Sequence, residues 1–371
     1  MISKFARLFF IALIVLCYVG SARSEEVVFV VNNYGHSIPF QPNDSTVMML
    51  RGSDLEILDT LILWGLRDPH SAALTRDRRH LWVTCPGAGK IAIIDVRSFE
   101  LIRTIDFGIF YPMGIAITPD GRYAYVTLSR SGNLAKYDTR TYSMVGPLIY
   151  LGFADSATSY ILFTPDGAKA YIVDTDYARV YVLRTSDDAV IQTRSFGGYA
   201  LNDAVVSPDG GKVYVCNMDQ DQIEVIRTSD DTVLSPIPTT VIKPRGIGIS
   251  PDGAYLFVGH YDPLSPTSKV TMIRLSDNTT VATANIAQNG RRVAVRPDGS
   301  RIFVSEHNYD RCYAFDVSGE TLTPLTPMTF TDLNIMEAPD YVLRATPIGL
   351  KIGQHPPPFS PAPLFILLLN D

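Results

Sequence analysis

Residues 118–127 read TPDGRYAYVT, a Pro-Asp-Gly triplet followed by a short run rich in aromatic and β-branched residues. Proline presets φ for a turn, aspartate tolerates the bridge region, and glycine supplies the positive φ that returns the chain antiparallel. One such segment predicts an ordinary β-hairpin. The triplet occurs four more times before an apolar run, at residues 165–167, 208–210, 251–253 and 297–299.

The spacing of the triplets predicts the fold class. Their aspartates are separated by 46, 43, 43 and 46 residues. A period of that size, composed of short strands, is typical of a β-propeller, in which each repeat is one four-stranded blade. Arg76-Asp77-Arg78 lies 43 residues before Asp120 and precedes another apolar run, so it is a degenerate sixth copy.

The two ends of the repeat region complete each other. Residues 27–31 resemble the strand that follows each triplet elsewhere, but no triplet or earlier strand precedes them. The missing strand occurs at the other end, where PIGLKI at residues 347–352 repeats the pattern of PRGIGI at residues 244–249. We therefore predict an all-β, seven-bladed β-propeller with four antiparallel strands per blade, its ring closed by residues 348–352. Closure removes the open sheet edges that invite aggregation.

The repeats resemble the YVTN-type β-propeller family. YVTL at residues 125–128 and YVCN at residues 214–217 are near matches to the tetrapeptide that gives the family its name, and the resemblance covers residues 25–355. It implies a propeller fold. Propellers of this general kind include lactonases, propeller subunits of periplasmic redox enzymes such as amine dehydrogenases, nitrite reductase and hydrazine synthase, and binding or surface proteins. Fold alone does not choose among these functions.

The N-terminal segment predicts export. Residues 1–24 begin with basic Lys4 and Arg7, continue with an apolar core over residues 8–19, and end in small residues before Glu25. This is the pattern of a secretory signal, with cleavage expected near Ser24. The alternative, a membrane anchor, needs about 20 apolar residues, and this core is shorter. We expect a periplasmic or secreted protein without a transmembrane anchor, organised as a signal peptide (1–24), a propeller (25–355) and a C-terminal tail (356–371).

Charge and cysteine content exclude several classes of protein. The formal charge of −6 becomes more negative when the basic residues of the signal are removed, which argues against binding to nucleic acid. Cys85 and Cys216 fall on nearly opposite sides of the predicted ring, too far apart for a disulfide. These two and Cys312 are therefore not expected to form a disulfide framework. No Cys-x-x-Cys-His run occurs, so no covalently attached haem is expected.

The upper mouth of the central channel, defined as the end opposite the Pro-Asp-Gly turns, is the predicted site. Polar residues occur there where first strands begin and where second strands end. The candidates for ligand binding come from the first strands: His70, Asn202, Asp203, Arg245, Arg291 and Arg292, with Ser71 and Tyr160 as neighbours. The candidates for metal binding come from the second strands: Asp174, Asn217, His260 and Glu306.

Two interpretations of this mouth remain open. The arginines could clamp a small anionic ligand, since guanidinium groups bind carboxylate and phosphate bidentately, or they could pair with Asp174, Asp203 and Glu306 along a hydrated channel. The oxygen and imidazole donors would suit a divalent metal, although four blades spread them widely. No nucleophile motif occurs, and Cys85 is expected to be buried and inert.

Irregular segments indicate partners. The loops at residues 34–45 and 261–268 overhang the upper mouth, and loops on a rigid scaffold commonly carry binding function, although tolerance of insertions is an equal explanation. The tail contains a stiff proline run and then six apolar residues at 364–369, which must pack on something. We predict that the tail binds a partner and that the protein is a binding or scaffold subunit, within a periplasmic redox-enzyme complex. The alternatives are a lactonase-like or other small-molecule enzyme acting at the mouth, and a solitary ligand-binding or surface protein.

Overall fold

The computed structural model describes residues 26–33, 45–152, 157–287, 289–306, 311–329 and 346–354. These residues form 29 β-strands and one 3-10 turn, Pro86–Ala88. Seven antiparallel sheets follow one another round a ring, with the first strand of each sheet contacting the first strand of the next. The prediction of an all-β, seven-bladed propeller is confirmed. Within this part of the chain, no helix is long and apolar enough to cross a membrane.

The first four blades are numbered in chain order, each from its innermost strand outward. Blade 1 contains β29 (Thr346–Gln354), β1 (Glu26–Asn33), β2 (Ser45–Arg51) and β3 (Ile57–Leu63). Blade 2 contains β4 (Ser71–Leu74), β5 (His80–Cys85), β6 (Lys90–Asp95) and β7 (Glu100–Asp106). Blade 3 contains β8 (Tyr111–Ile117), β9 (Tyr123–Ser129), β10 (Asn133–Asp138) and β11 (Ile149–Tyr150). Blade 4 contains β12 (Thr158–Phe163), β13 (Lys169–Asp174), β14 (Arg179–Arg184) and β15 (Ala189–Ser195).

The last three blades repeat the same order. Blade 5 contains β16 (Leu201–Val206), β17 (Lys212–Asn217), β18 (Gln222–Arg227) and β19 (Thr232–Pro238). Blade 6 contains β20 (Pro244–Ile249), β21 (Tyr255–His260), β22 (Ser268–Arg274) and β23 (Thr279–Ile286). Blade 7 contains β24 (Gly290–Val295), β25 (Arg301–Glu306), β26 (Arg311–Ser318) and β27 (Thr321–Pro324), with β28 (Met328–Thr329) also paired to β26.

The ring is closed by pairing of the two ends of the chain within blade 1. Strand β29 runs antiparallel to β1, with Val28 opposite Ile352 and Val30 opposite Leu350. It also contacts the inner strands of blades 2 and 7. The predicted closure is confirmed, and the closing strand is longer than the predicted residues 348–352. Residues 1–24, 34–44 and 356–371 lie outside the described residues, so the signal peptide, the first loop and the tail stay predictions.

The Pro-Asp-Gly turns form as their residue types require. Gly121 has a φ of 78°, in the left-handed region that glycine occupies without a steric penalty. The Asp120 side chain accepts a hydrogen bond from the Arg122 backbone N–H at 2.9 Å and one from the Thr118 hydroxyl. In the degenerate copy Asp77 accepts from Thr75 Oγ1 at 2.6 Å, and the following Arg78 has a φ of 61°. The degenerate copy therefore forms the same turn.

Neighbouring blades are joined by aspartates at the tips of the outer hairpins, of which Asp231 is buried and Asp188 partly buried. Asp231, between β18 and β19 of blade 5, accepts hydrogen bonds from the Tyr171 hydroxyl at 2.6 Å and from Lys169 Nζ at 2.7 Å, both in β13 of blade 4. Asp188 of blade 4 makes the corresponding contacts with Tyr125 and Lys136 of blade 3. These contacts connect each of the two hairpins to the blade before it.

Replacing Asp231 tests the contribution of this contact. Asp231→Asn keeps a residue that tolerates the observed φ of 57° but removes the charge that balances Lys169. We expect a loss of about 1–3 kcal/mol in the free energy of unfolding, because the partly buried ammonium group of Lys169 loses its ionic partner. Asp230→Asn is the matched control, since the Asp230 side chain is half exposed, and we expect little change. Urea denaturation of both variants would contradict the interpretation if Asp231→Asn is no less stable than the control.

Candidate functional site at the upper mouth

Irregular strands position the polar residues of the mouth. In blades 4 to 7 the first strand contains an irregularity where its register against the second strand shifts. The shifts lie between Thr158 and Tyr160 in β12, Leu201 and Ala204 in β16, Pro244 and Gly246 in β20, and Gly290 and Arg292 in β24. A bulge breaks the strict alternation of side chains and re-aims those beside it. The ligand-binding candidates of blades 5, 6 and 7 all lie at these bulges.

Arg292 reaches across the channel. Its side chain is 0% exposed, and its Nη1 lies 2.7 Å from Asp203 Oδ1 in blade 5. The guanidinium carbon is 4.1 Å from the centroid of the Tyr160 ring in blade 4, a cation–π contact. Blades 4 and 7 are three positions apart in a ring of seven, so a single side chain spans the upper end of the channel.

Asp203 is held by backbone donors. Its Oδ2 accepts a hydrogen bond from the Ile247 N–H of blade 6 at 3.2 Å, and its Oδ1 accepts one from the Ala204 N–H at 3.0 Å. Burial raises the pKa of Asp203, and the positive charge of Arg292 and these donors oppose that rise. Asp203 thereby links the inner strands of three blades at one carboxyl group.

The charges of the other two arginines act on the Tyr160 phenol. Arg245 Nη1 donates to Asn289 Oδ1 at 2.7 Å, and its guanidinium carbon is 5.7 Å from the centroid of the Tyr261 ring. Burial raises the pKa of Tyr160, and the charges of Arg292, Arg291 and Arg245 all oppose that rise. Arg292 and Asp203 form an ion pair, and the charges of Arg245 and Arg291 act on Tyr160 beside it. The anion clamp by the three arginines stays a prediction.

The remaining ligand-binding candidates lie on other parts of the rim. Asn202 is buried at the bulge of β16, where its Nδ2 is 3.4 Å from the Ala200 carbonyl oxygen. His70 is buried before β4, with Nδ1 3.4 Å from the Met113 carbonyl oxygen. Sequence reasoning included Tyr261 only as the first residue of the loop 261–268. It did not single out Asn289, whose position before β24 carries no motif that would have indicated it.

Three of the four metal candidates are bonded to residues of their own blades. Asp174 accepts a hydrogen bond from the Tyr181 hydroxyl at 3.0 Å, and Asn217 Nδ2 donates to Glu224 Oε1 at 2.7 Å. His260 Nε2 lies 2.8 Å from Thr271 Oγ1. In each case the partner is on the third strand of the same blade.

The described residues contain no group of three or more His, Cys, Asp or Glu side chains that could hold a metal ion. Glu306 ends β25 and is buried. The structure does not bring the four candidates together, and the metal centre stays a prediction.

Burial favours the neutral forms of His260 and of the three buried cysteines. Burial lowers the pKa of His260 to about 4, and burial raises the pKa of the Cys312 thiol to about 12. Cys85, Cys216 and Cys312 are free and buried, and burial also raises the pKa of Cys85 and of Cys216. A thiolate is the reactive form of cysteine, so these three side chains are poor nucleophiles.

The upper face, defined as the loops that join second to third strands and fourth strands to the next blade, exposes large apolar side chains. The described residues contain fourteen such exposed side chains, and eight of them lie in these loops or at the strand end beside them. The eight are Trp64, Ile109, Phe110, Tyr150, Tyr177, Tyr199, Ile242 and Leu264. An open cleft of about 340 Å³ lies between blades 6 and 7 on the same face, lined mainly by Pro266, Ile286, Ala287 and Tyr313.

Comparison with solved structures agrees with this architecture. The structure of a functionally unknown protein from Desulfotomaculum acetoxidans matches with a TM-score of 0.64 at 17% identity, over 81% of this chain and 94% of that one. Kuenenia stuttgartiensis hydrazine synthase matches with a TM-score of 0.59 at 19% identity, over 68% of this chain and 77% of that one. These likenesses show the fold alone. No protein-family model matches the chain, and no curated protein matches it.

Proposed function

We propose that this protein is an exported, non-catalytic binding or scaffold subunit of a periplasmic redox-enzyme complex, and that it binds a protein partner through the upper face. The observation that carries the proposal is the concentration of exposed apolar side chains on that face. Trp64 is 63% exposed, Ile109 is 88% exposed and Leu264 is 92% exposed. Large apolar groups in water favour association, and tryptophan and tyrosine are enriched among the residues that dominate binding energy.

The shape of the upper face also supports binding to a protein. The exposed side chains are distributed from blade 1 to blade 6, so a partner would contact most of the ring. Specific interfaces bury roughly 800 Å² on each partner. A partner that covers the loops of six blades could bury an area of that size. The cleft between blades 6 and 7 would receive an apolar anchor from the partner.

The fold is compatible with this role. A hydrazine synthase shares the propeller, and propellers of periplasmic redox enzymes are among the proteins that the repeats resemble. The alternative of a lactonase-like enzyme would need acidic or histidine side chains to converge in the mouth. Asp174 and His260 instead bond within their own blades.

Substitution of the upper face tests the proposal. The triple variant Trp64→Ser, Phe110→Ser and Tyr199→Ser should lose a partner that co-purifies with the wild-type protein from its native host, with recovery reduced about tenfold or more, because anchor residues each contribute about 2 kcal/mol or more. The matched control is Leu101→Ser, Ile102→Ser and Val233→Ser, which removes exposed apolar groups from the outer strands. The measurement is the amount of partner recovered, after cross-linking, with the wild type, the upper-face variant and the control variant. Recovery of the same partner by the upper-face variant would contradict the proposal, and so would its loss from the control.

A further inference from the structure

Arg292 has buried donors that no described residue satisfies. A guanidinium group carries five N–H donors. Nε and Nη2 of Arg292 have no hydrogen-bond acceptor among the described residues. Nη1 lies 2.7 Å from Asp203 Oδ1, but this contact is an ion pair outside the directions of the N–H bonds. Burying unsatisfied donors of a charged group is strongly unfavourable, so this side chain is suited to a further acceptor.

Several buried or partly buried charges act near Arg292. Burial raises the pKa of Tyr160, the charges of Arg292, Arg291 and Arg245 lower it, and the charge of Asp203 raises it. Arg291 is 6% exposed and Arg292 is fully buried, so water screens these charges weakly. The weakly screened guanidinium group of Arg292 favours an anion at the upper end of the channel.

The geometry fixes which edge of the guanidinium is available. Asp203 is held by the Ile247 and Ala204 backbone donors and occupies the Nη1 side of Arg292. The Tyr160 ring covers one face of the guanidinium at 4.1 Å. The remaining edge, formed by Nε and Nη2, is the fork that binds a carboxylate through two parallel hydrogen bonds.

We infer that the upper end of the channel binds a small organic carboxylate on the Nε–Nη2 edge of Arg292. A planar carboxylate matches a planar fork that is already covered on one face by an aromatic ring. This site is separate from the proposed protein-binding surface, since Arg292, Asp203 and Tyr160 are buried and the apolar side chains of the upper face are exposed.

Calorimetric titration of the full-length mature protein tests the inference. Acetate and succinate are the probes, inorganic phosphate is the comparison, and chloride keeps the ionic strength constant. We expect saturable one-site binding of acetate or succinate, with weaker binding of phosphate. Heats equal to those of chloride would overturn the inference, and tighter binding of phosphate than of either carboxylate would overturn the assignment to a carboxylate.

Two variants at the site and one control variant locate the ligand. Arg292→Lys keeps the charge opposite Asp203 but removes the fork, and should weaken carboxylate binding about tenfold or more. Arg227→Lys changes an exposed arginine of an outer hairpin and should leave the affinity unchanged. The double variant Arg292→Met with Asp203→Asn removes both buried charges and should abolish binding while circular dichroism shows a folded propeller. Unchanged affinity in Arg292→Lys, if that variant is folded, or in the double variant would overturn the inference.

Discussion

Removal of residues 346–371 is expected to lower the free energy of unfolding by about 5 kcal/mol or more, an amount comparable to the total stability of many domains. The deletion takes away β29, which pairs along β1 and contacts the inner strands on both sides of blade 1. The polar edge of β1 would then face the channel without a partner, and the ring would be open. Thermal denaturation followed by light scattering should show early melting with aggregation.

A shorter deletion is the control for that experiment. A chain that stops at residue 355 retains β29 and lacks only the proline-rich and apolar tail. We expect its melting temperature to stay close to that of the full chain, because the tail is predicted to bind a partner. If both truncations melt at the same temperature, β29 does not close the ring in the way described.

The second large effect is a loss of stability in acid caused by His260. Burial lowers the pKa of this histidine to about 4 in the folded protein. In the unfolded chain its pKa returns to about 6.5, so below that pH the unfolded state binds a proton that the folded state resists. As the pH falls from about 6.5 to 4, this single group should remove about 3 kcal/mol of stability, at 1.36 kcal/mol for each unit of pKa difference.

Comparison with His260→Gln isolates the effect. Glutamine can still contact Thr271 but lacks the imidazole ring, so the variant should be less stable than the wild type at pH 7. Because glutamine does not titrate, this difference in stability should shrink as the pH falls. Urea denaturation at pH 7, 5.5 and 4.5 gives the difference between the two proteins. Contributions from other titrating groups cancel in that difference. Parallel pH profiles for the two proteins would show that His260 is not held neutral by burial.

The architecture could be predicted because turn geometry restricts the residue types. A left-handed position after a proline and an aspartate selects glycine, and the five triplet glycines have φ values between 71° and 78°. Closure could be predicted for a similar reason, since residues 347–352 repeat a pattern found in other inner strands. Where the backbone conformation permits only a few residue types, those residues recur in the sequence and the structure can be predicted from them.

The arrangement of the mouth could be predicted only in part. Adjacent Arg291 and Arg292 would point to opposite faces of a regular strand, but the bulge in β24 leaves both buried near the channel. No triplet or composition marks that bulge. The metal candidates are different, because they end second strands and the side chains of three of them pair with the third-strand residues Tyr181, Glu224 and Thr271. Hairpin partners of this kind depend on register, which the spacing of the repeats does not specify.

The pairing of Glu26 with Gln354 determines where the chain leaves the ring. Glu26 begins a second strand and Gln354 ends an inner strand, so both lie at the end of the channel that carries the Pro-Asp-Gly turns. A protein immobilised or fused through either of these ends would present the upper mouth to the surrounding solution without obstruction. The strands that run between the lower and upper ends of the channel are mostly six to eight residues long, so these two ends are about 20–25 Å apart. A partner bound to the upper face would therefore lie about that far from the backbone of Glu26 and Gln354.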